Sequence, residues 1–228
     1  MNLYRNLVIA MLALPCALWA EDTGAEGESP VFQIHSPAET AAHNETVLDI
    51  SFDTRIDFQN QWQKGHTDGA LSGFKGQYFM FSVSGSIMDG LVDYSWRQRI
   101  NRRKNDSSAF DDTDWVWVRA NYKGWHISGG KEVLLIGGWE YERNPLDLYS
   151  ASVFWNNVPC YEFGLTVSCD LGPSDNLAFQ AIQSPWHTPE RNNMYGYNLL
   201  WSGKHGIFSS LWSANLFEYL PGRYISYI

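Results

Sequence analysis

Between residues 46 and 60 every second position is apolar and the intervening positions are polar or charged. Leu48, Ile50, Phe52, Ile56 and Phe58 fall on one side with only Thr54 interrupting them, and Asp49, Ser51, Asp53, Arg55, Asp57 and Gln59 fall on the other. Successive side chains of a strand point to opposite faces, so this run is an extended strand with one oily and one charged surface. A soluble sheet tolerates some alternation. A stretch this long, with so many charges opposite so many large apolar groups, suits a wall between hydrocarbon and water, which in strand form is a transmembrane β-barrel.

The beginning of the chain fits export to such a place. Arg5 precedes an uncharged apolar run over 7–18, and Ala20 precedes an acidic stretch. Residues 1–20 are therefore expected to be a secretory signal peptide. The apolar run is shorter than the roughly 20 residues a helical span needs, and Pro15 before Cys16 is a poor match to a lipid-attachment site. Beyond residue 20 no uncharged stretch is long enough to span as a helix, so membrane residence would have to come from strands. With 44% hydrophobic residues and a mean hydropathy of −0.31, the apolar groups are diluted by alternation rather than gathered in blocks.

Residues 21–45 contain Glu21, Asp22, Glu26, Glu28, Glu39 and Glu45 and no Lys or Arg, which reads as a flexible acidic lead. The body from 46 to 228, expected to be the barrel, has 15 basic and 19 acidic residues, a net of −4, and nucleic acid is not an expected partner. After the leader only Cys160 and Cys169 remain, bracketing a run of alternating character. At roughly 3.3 Å per residue the ends of that strand lie about 30 Å apart, far beyond a disulfide's reach, so two free thiols are expected.

Ten further runs are read as strands: 74–86, 91–103, 114–122, 125–135, 150–156, 160–170, 177–184, 194–201, 207–219 and 224–228. With the first run this gives about eleven strands, an all-β antiparallel barrel wall. Trp62, Tyr78, Trp115, Trp125, Tyr161, Trp186, Trp201 and Tyr219 recur near strand ends, where amphipathic rings suit a headgroup zone. Connections run long and short in turn over 63–73, 87–90, 104–113, 123–124 and 136–149, as in outer-membrane barrels. The alternation breaks at 184–193, and eleven is odd where single-chain barrels close on even numbers. The expectation is a front portion of a longer barrel.

The densest basic cluster is Arg97, Arg99, Arg102, Arg103 and Lys104. Val92, Tyr94 and Trp96 set the outer face of that run, so Asp93, Arg97, Arg99 and Arg103 are expected on the lumen side with Asp53, Arg55 and Asp57. Guanidiniums two residues apart stand roughly 7 Å apart, a stair for an anion; the alternative is that they meet lumenal carboxylates or lipopolysaccharide phosphates at the rim. Glycines at 129, 130, 137 and 138 match no phosphate-loop pattern and are expected to ease the turn into a third long loop, where Trp139, Glu140, Glu142, Arg143 and Asp147 either narrow a pore or stand in water. The chain carries no G-x-S-x-G, no H-E-x-x-H and no Cys or His pair at metal-ligand spacing, so neither catalysis nor a metal or cofactor is expected.

Taken together, Phe52-Asp-Thr-Arg-Ile-Asp-Phe58, Asp93-Tyr-Ser-Trp-Arg-Gln-Arg-Ile-Asn101, Gly130-Lys-Glu, Ile136-Gly-Gly-Trp-Glu-Tyr-Glu-Arg143 and Phe179-Gln-Ala-Ile-Gln-Ser-Pro185 resemble porins of Bacteroides-type bacteria, related to phosphate-selective porins. The resemblance implies a sixteen-stranded outer-membrane barrel of a Gram-negative cell, commonly a homotrimer, with an inward-folded third loop at 136–149. It also implies passive diffusion of small hydrophilic solutes or ions, anions among them, with outer-membrane lipid and lipopolysaccharide as surroundings. Two other classes stay open from the residues: a secreted β-sandwich that binds carbohydrate through its Trp residues, and an outer-membrane barrel hydrolase.

Overall fold

The structure, a computed structural model, describes residues 47–59, 73–100, 110–148 and 151–228. The expected leader at 1–20, the acidic segment, Trp62 and Arg103 lie outside them. Ten strands form one antiparallel sheet in which each strand pairs with its sequence neighbours, an unbroken meander. They are β1 Val47–Gln59, β2 Gly73–Ile87, β3 Val92–Arg99, β4 Thr113–Tyr122, β5 Trp125–Val133, β6 Tyr161–Asp170, β7 Asp175–Gln183, β8 Tyr195–His205, β9 Phe208–Leu220 and β10 Arg223–Tyr227. Among the described residues no helix is long and apolar enough to cross a membrane.

The eleventh expected strand, 150–156, is not one. Val153–Asn157 is a short helix that begins at Ser152, whose Oγ accepts the backbone N–H of Trp155 at 3.1 Å. Val, Phe and Trp suit a strand, but a serine that caps the first turn, and burial of Phe154 and Trp155 against a neighbouring apolar cluster, overrule that propensity. The correction also removes the break in loop alternation. The long connections 60–72, 100–112, 134–160 and 184–194 alternate with the short ones 88–91, 123–124, 171–174 and 206–207, and only the final turn at 221–222 departs. One two-residue turn joins Tyr122 to Trp125 through Lys123 (φ 47°) and Gly124 (φ 74°), the two left-handed residues that match a hairpin's twist.

Polarity is inverted relative to a soluble domain. Leu48, Ile50, Phe52, Ile56 and Phe58 on β1 are 54% to 67% exposed, and Val118, Ile127, Leu165 and Trp212 on later strands are exposed as well. The opposite face buries Arg97, Asp114, Ser128, Glu132, Thr166, Asn176, Gln180, Asn198 and Asn215. Outward aromatic rings associate across strands, as Phe52 with Phe81 at 5.0 Å and Phe81 with Trp96 at 5.6 Å. The aromatic positions do not all follow the expected outward belt. Tyr78 and Trp115 lie beneath guanidiniums of Arg99 and Arg97, and Tyr161 lies 5.9 Å from Trp115. Cation–π contact engages the Tyr78 and Trp115 rings there.

Cys160 is a free thiol just before β6, and burial pushes its pKa up to about 12. Cys169, at the other end of that strand, is not free, so the expectation of two free thiols holds for Cys160 alone.

Candidate functional site: the inner face and its inward loop

Period-2 geometry aligns the inward side chains of neighbouring strands into rows. One row runs from β2 to β9 through Ser86, Asp93, Arg119, Ser128, Thr166, Gln180, Asn198 and Asn215, each in register with the next. Its members are polar at every strand. Several bond along the row: Arg119 donates to Asp93 at 2.7 Å, Asn198 to Gln180 at 2.8 Å, and Asn215 to Asn198 at 2.8 Å, while Ser128 and Thr166 both donate to Glu132.

The arginines are on the expected face, and each is met by a carboxylate. Arg97 Nε and Arg99 Nε donate to the two oxygens of Asp114 at 3.0 and 2.6 Å. Arg55 is paired with Asp57 at 2.7 Å, and Asp93 accepts from both Arg119 and Asn121. Asp53 lies half-buried on the same face of β1 and accepts from Ser51 at 3.5 Å. Arg97 itself is only 4% exposed, so the stair of guanidiniums is built into a buried ion-pair network. A β-bulge brings this about: the β3–β4 register shifts after Arg97, leaving Asp114 between the partners Trp115 and Thr113. An extra residue re-aims the strand, here turning a carboxylate between two arginines.

The third long connection folds inward. Leu134, Leu135 and Ile136 are buried against the polar face. The backbone N–H of Leu135 donates to Gln180 Oε1 at 3.1 Å, Asn215 Nδ2 donates to the Leu135 carbonyl at 2.9 Å, and the N–H of Gly137 donates to Ser213 Oγ at 2.8 Å. Gln180 Nε2 in turn donates to the carbonyl of Val133 at 2.9 Å. A loop that dehydrates its own backbone needs such partners, and Gln, Asn and Ser supply them without charge. Beside this clamp Leu134, Ile136, Tyr141 and Val158 of the loop form an apolar cluster with Ile182 and Phe217 of the wall. Small residues make room for it: a Cβ on Gly164 would stand 2.5 Å from the carbonyl of Ala181, and one on Gly196 would stand 2.6 Å from the Phe217 ring.

Beyond the clamp the loop continues as a single helical turn, Trp139–Glu142, and a 3-10 turn, Pro145–Asp147. Glu140 accepts from the N–H of Ser152 at 2.8 Å and from its hydroxyl at 2.5 Å, joining the first turn to the helix Val153–Asn157. Burial pushes the Glu142 carboxyl up to about 7 and raises the Tyr141 phenol. Arg143 and Asp147 are exposed, and Trp139 begins the turn. At its far end the loop reaches β1, where Arg55 Nη1 donates to the carbonyls of Leu146 and Leu148 at 2.9 and 2.8 Å. One loop thus touches β1 and β7–β9. A flat meander would hold those strands far apart at about 4.8 Å per strand, so the sheet is strongly curled about the loop.

Sequence reasoning overlooked Asp114, Arg119 and the neutral row of Gln180, Asn198 and Asn215. For Arg119, Gln180, Asn198 and Asn215 the signal was present, since they fall opposite apolar neighbours along their own strands, whereas Asp114 has the parity of Val116 and Val118 and reaches the inner side only through the bulge. It also overlooked His126, on the inner face, which bridges Asn121 and Asp170 at 2.8 and 3.2 Å. Among the described residues no three His, Cys, Asp or Glu side chains are arranged to hold a metal ion. Comparison with family models, curated proteins and solved structures found no match for the chain.

Proposed function

We propose that this sheet is the wall of an outer-membrane diffusion channel for small hydrophilic solutes or ions, with the 134–160 loop as its constriction. The observation that carries the reading is the inward loop: 134–148 lies across the polar face, pinned at one end by Gln180, Asn215 and Ser213 and at the other by Arg55. Three features support it. The apolar side chains are on the outside, long and short connections alternate along the chain, and the loop that folds inward is the third long one. An exposed apolar face over β1 to β9, strands of 8 to 15 residues, is stable in hydrocarbon and a liability in water. The described strands also make one sheet rather than the two packed sheets of a sandwich.

In this reading the arginine and aspartate pairs of β1–β4 form the charged side of the path. Asp114 accepts from both Arg97 and Arg99, so the cluster carries a local excess of one positive charge and favours anions there. The decisive experiment is single-channel recording in a planar bilayer under a salt gradient, using protein refolded in detergent and shown to be folded by heat-modifiable gel mobility. Discrete current steps with a reversal potential of the anion sign are expected. Folded protein that passes no current overturns the reading and favours a barrel enzyme or binding protein.

A further inference from the structure

We propose that Arg55 is a positioning residue of the constriction, a clasp that holds the 144–148 stretch of the loop against β1 and whose release widens the path. The inference rests on the channel reading for the word path, but the clasp itself is a matter of geometry. The start and the middle of the inward loop are held by unlike means. Near 134–137 the hold is distributed over Gln180, Asn215, Ser213 and a buried apolar cluster. Near 144–148 the hold among the described residues is the Arg55 guanidinium, whose Nη1 serves both the Leu146 and the Leu148 carbonyls at 2.9 and 2.8 Å.

That guanidinium is aimed by two devices. Asp57, two residues on along the same face, takes Nε at 2.9 Å and Nη2 at 2.7 Å, which leaves Nη1 as the nitrogen directed at the loop. The β1–β2 register shifts between Arg55 and Ile56, with Gln77 the additional residue on β2, so the wall bends at the point where it reaches the loop. The fork is required: it must engage a carboxylate and two carbonyls together, which a lysine's single nitrogen cannot do. With the Arg55 side chain only 11% exposed, water is a poor substitute for its loop contacts.

The test uses the full chain, refolded, as Arg55→Gln and Arg55→Lys beside the unaltered protein, with hydrogen exchange and single-channel current as separate readouts. In Arg55→Gln the amides of 144–148 are expected to exchange about tenfold faster or more, the loss of charge-assisted bonds. The amides of 134–137 keep their protection, and the open-channel current rises. Arg55→Lys, which keeps charge without the fork, should fall between, and it answers the question if the Gln variant does not refold. Unchanged exchange at 144–148 in a folded variant overturns the clasp whatever the current does. Faster exchange with unchanged current in a conducting channel overturns the link to path width. If the unaltered folded protein is silent, the channel reading fails while the exchange result still decides the clasp.

Discussion

On β1 to β4 the inner face carries Arg55, Arg97, Arg99 and Arg119, each paired with an aspartate, whereas β6 to β9 contain no arginine and present Thr166, Gln180, Asn198 and Asn215 in a hydrogen-bonded row. The loop lies on the neutral half. Removing water from a guanidinium costs several kcal/mol unless a carboxylate and further bonds replace it, while an amide is satisfied by one or two backbone partners. A loop whose polar groups are mostly its own N–H and C=O can therefore settle on amides and hydroxyls. It meets the charged half at Arg55, a donor, through carbonyls. Arginine–aspartate pairs thus stand on β1 to β4, and the loop's amide and hydroxyl partners on β7 to β9.

The difference is sharpest at Asp114. Asp114→Ala leaves two guanidiniums without their carboxylate, one of them 4% exposed, and is expected to cost about 3–5 kcal/mol in denaturant unfolding from detergent. Replacing Arg97 and Asp114 together by Met and Leu should recover most of that loss, since an apolar pair of similar volume escapes the desolvation penalty. A single variant as stable as the unaltered protein would mean that the charged half is held by something other than these pairs.

The outer surface should not share the contrast. Phe52 on β1 and Leu165 on β6 are 65% and 62% exposed on the apolar face, so an arginine at either is expected to cost about 2–4 kcal/mol near a bilayer midplane. Equal penalties in lipid would confine the asymmetry to the inner face. A penalty at β6 but none at β1 would place the first strand outside the hydrocarbon.

These contrasts were legible in the sequence to different degrees. Alternation along β1 and β3 is a covalent consequence of strand geometry, and it puts Asp53, Arg55, Asp57, Asp93, Arg97 and Arg99 on the polar face of the sheet. The arginine–aspartate pairing was not legible, because Asp114 meets Arg97 and Arg99 through a one-residue register shift that no single strand encodes. Nor was the contact of Arg55 with Leu146 and Leu148, which depends on how far the sheet curls between β1 and β5. The segment 150–156 was misread because its Val, Phe and Trp outweighed the capping role of Ser152, visible only once Trp155 has turned back toward it. Gln180, Asn198 and Asn215 lacked the charge that draws attention to a polar position, although their phase was as clear as that of Arg97.

On the neutral half the corresponding test is Asn198→Leu, which removes the donor to Gln180 and the acceptor for Asn215 in one step. The expected cost is about 1–3 kcal/mol, that of stranding buried amides, and it should be accompanied by faster exchange at the Leu135 amide, whose acceptor is Gln180. If instead the variant is destabilised as much as Asp114→Ala, the two halves do not differ in kind. A loss of stability without faster exchange at Leu135 would show that the row braces the wall and not the loop.

The smallest effect lies where the loop itself carries a charge. Burial raises the Glu142 carboxyl from 4.5 to about 7, so the folded loop favours the protonated form. Below about 4.5 the group is neutral both in the packed loop and in an opened one, and its packing carries no penalty. As pH rises towards 7 the opened form ionises first and gains relative to the packed one, and above 7 that disadvantage is fully developed. Exchange of the 140–148 amides, corrected for its intrinsic pH dependence, should therefore accelerate modestly between about 4.5 and 7 and level off beyond, and Glu142→Gln should flatten the profile. The clamp at 134–137 is made by Gln180, Asn215 and Ser213, none of which titrates, so its protection should change less over the same range. A parallel change at both ends would mean that the loop opens as one unit and that its neutral anchor offers no independent hold.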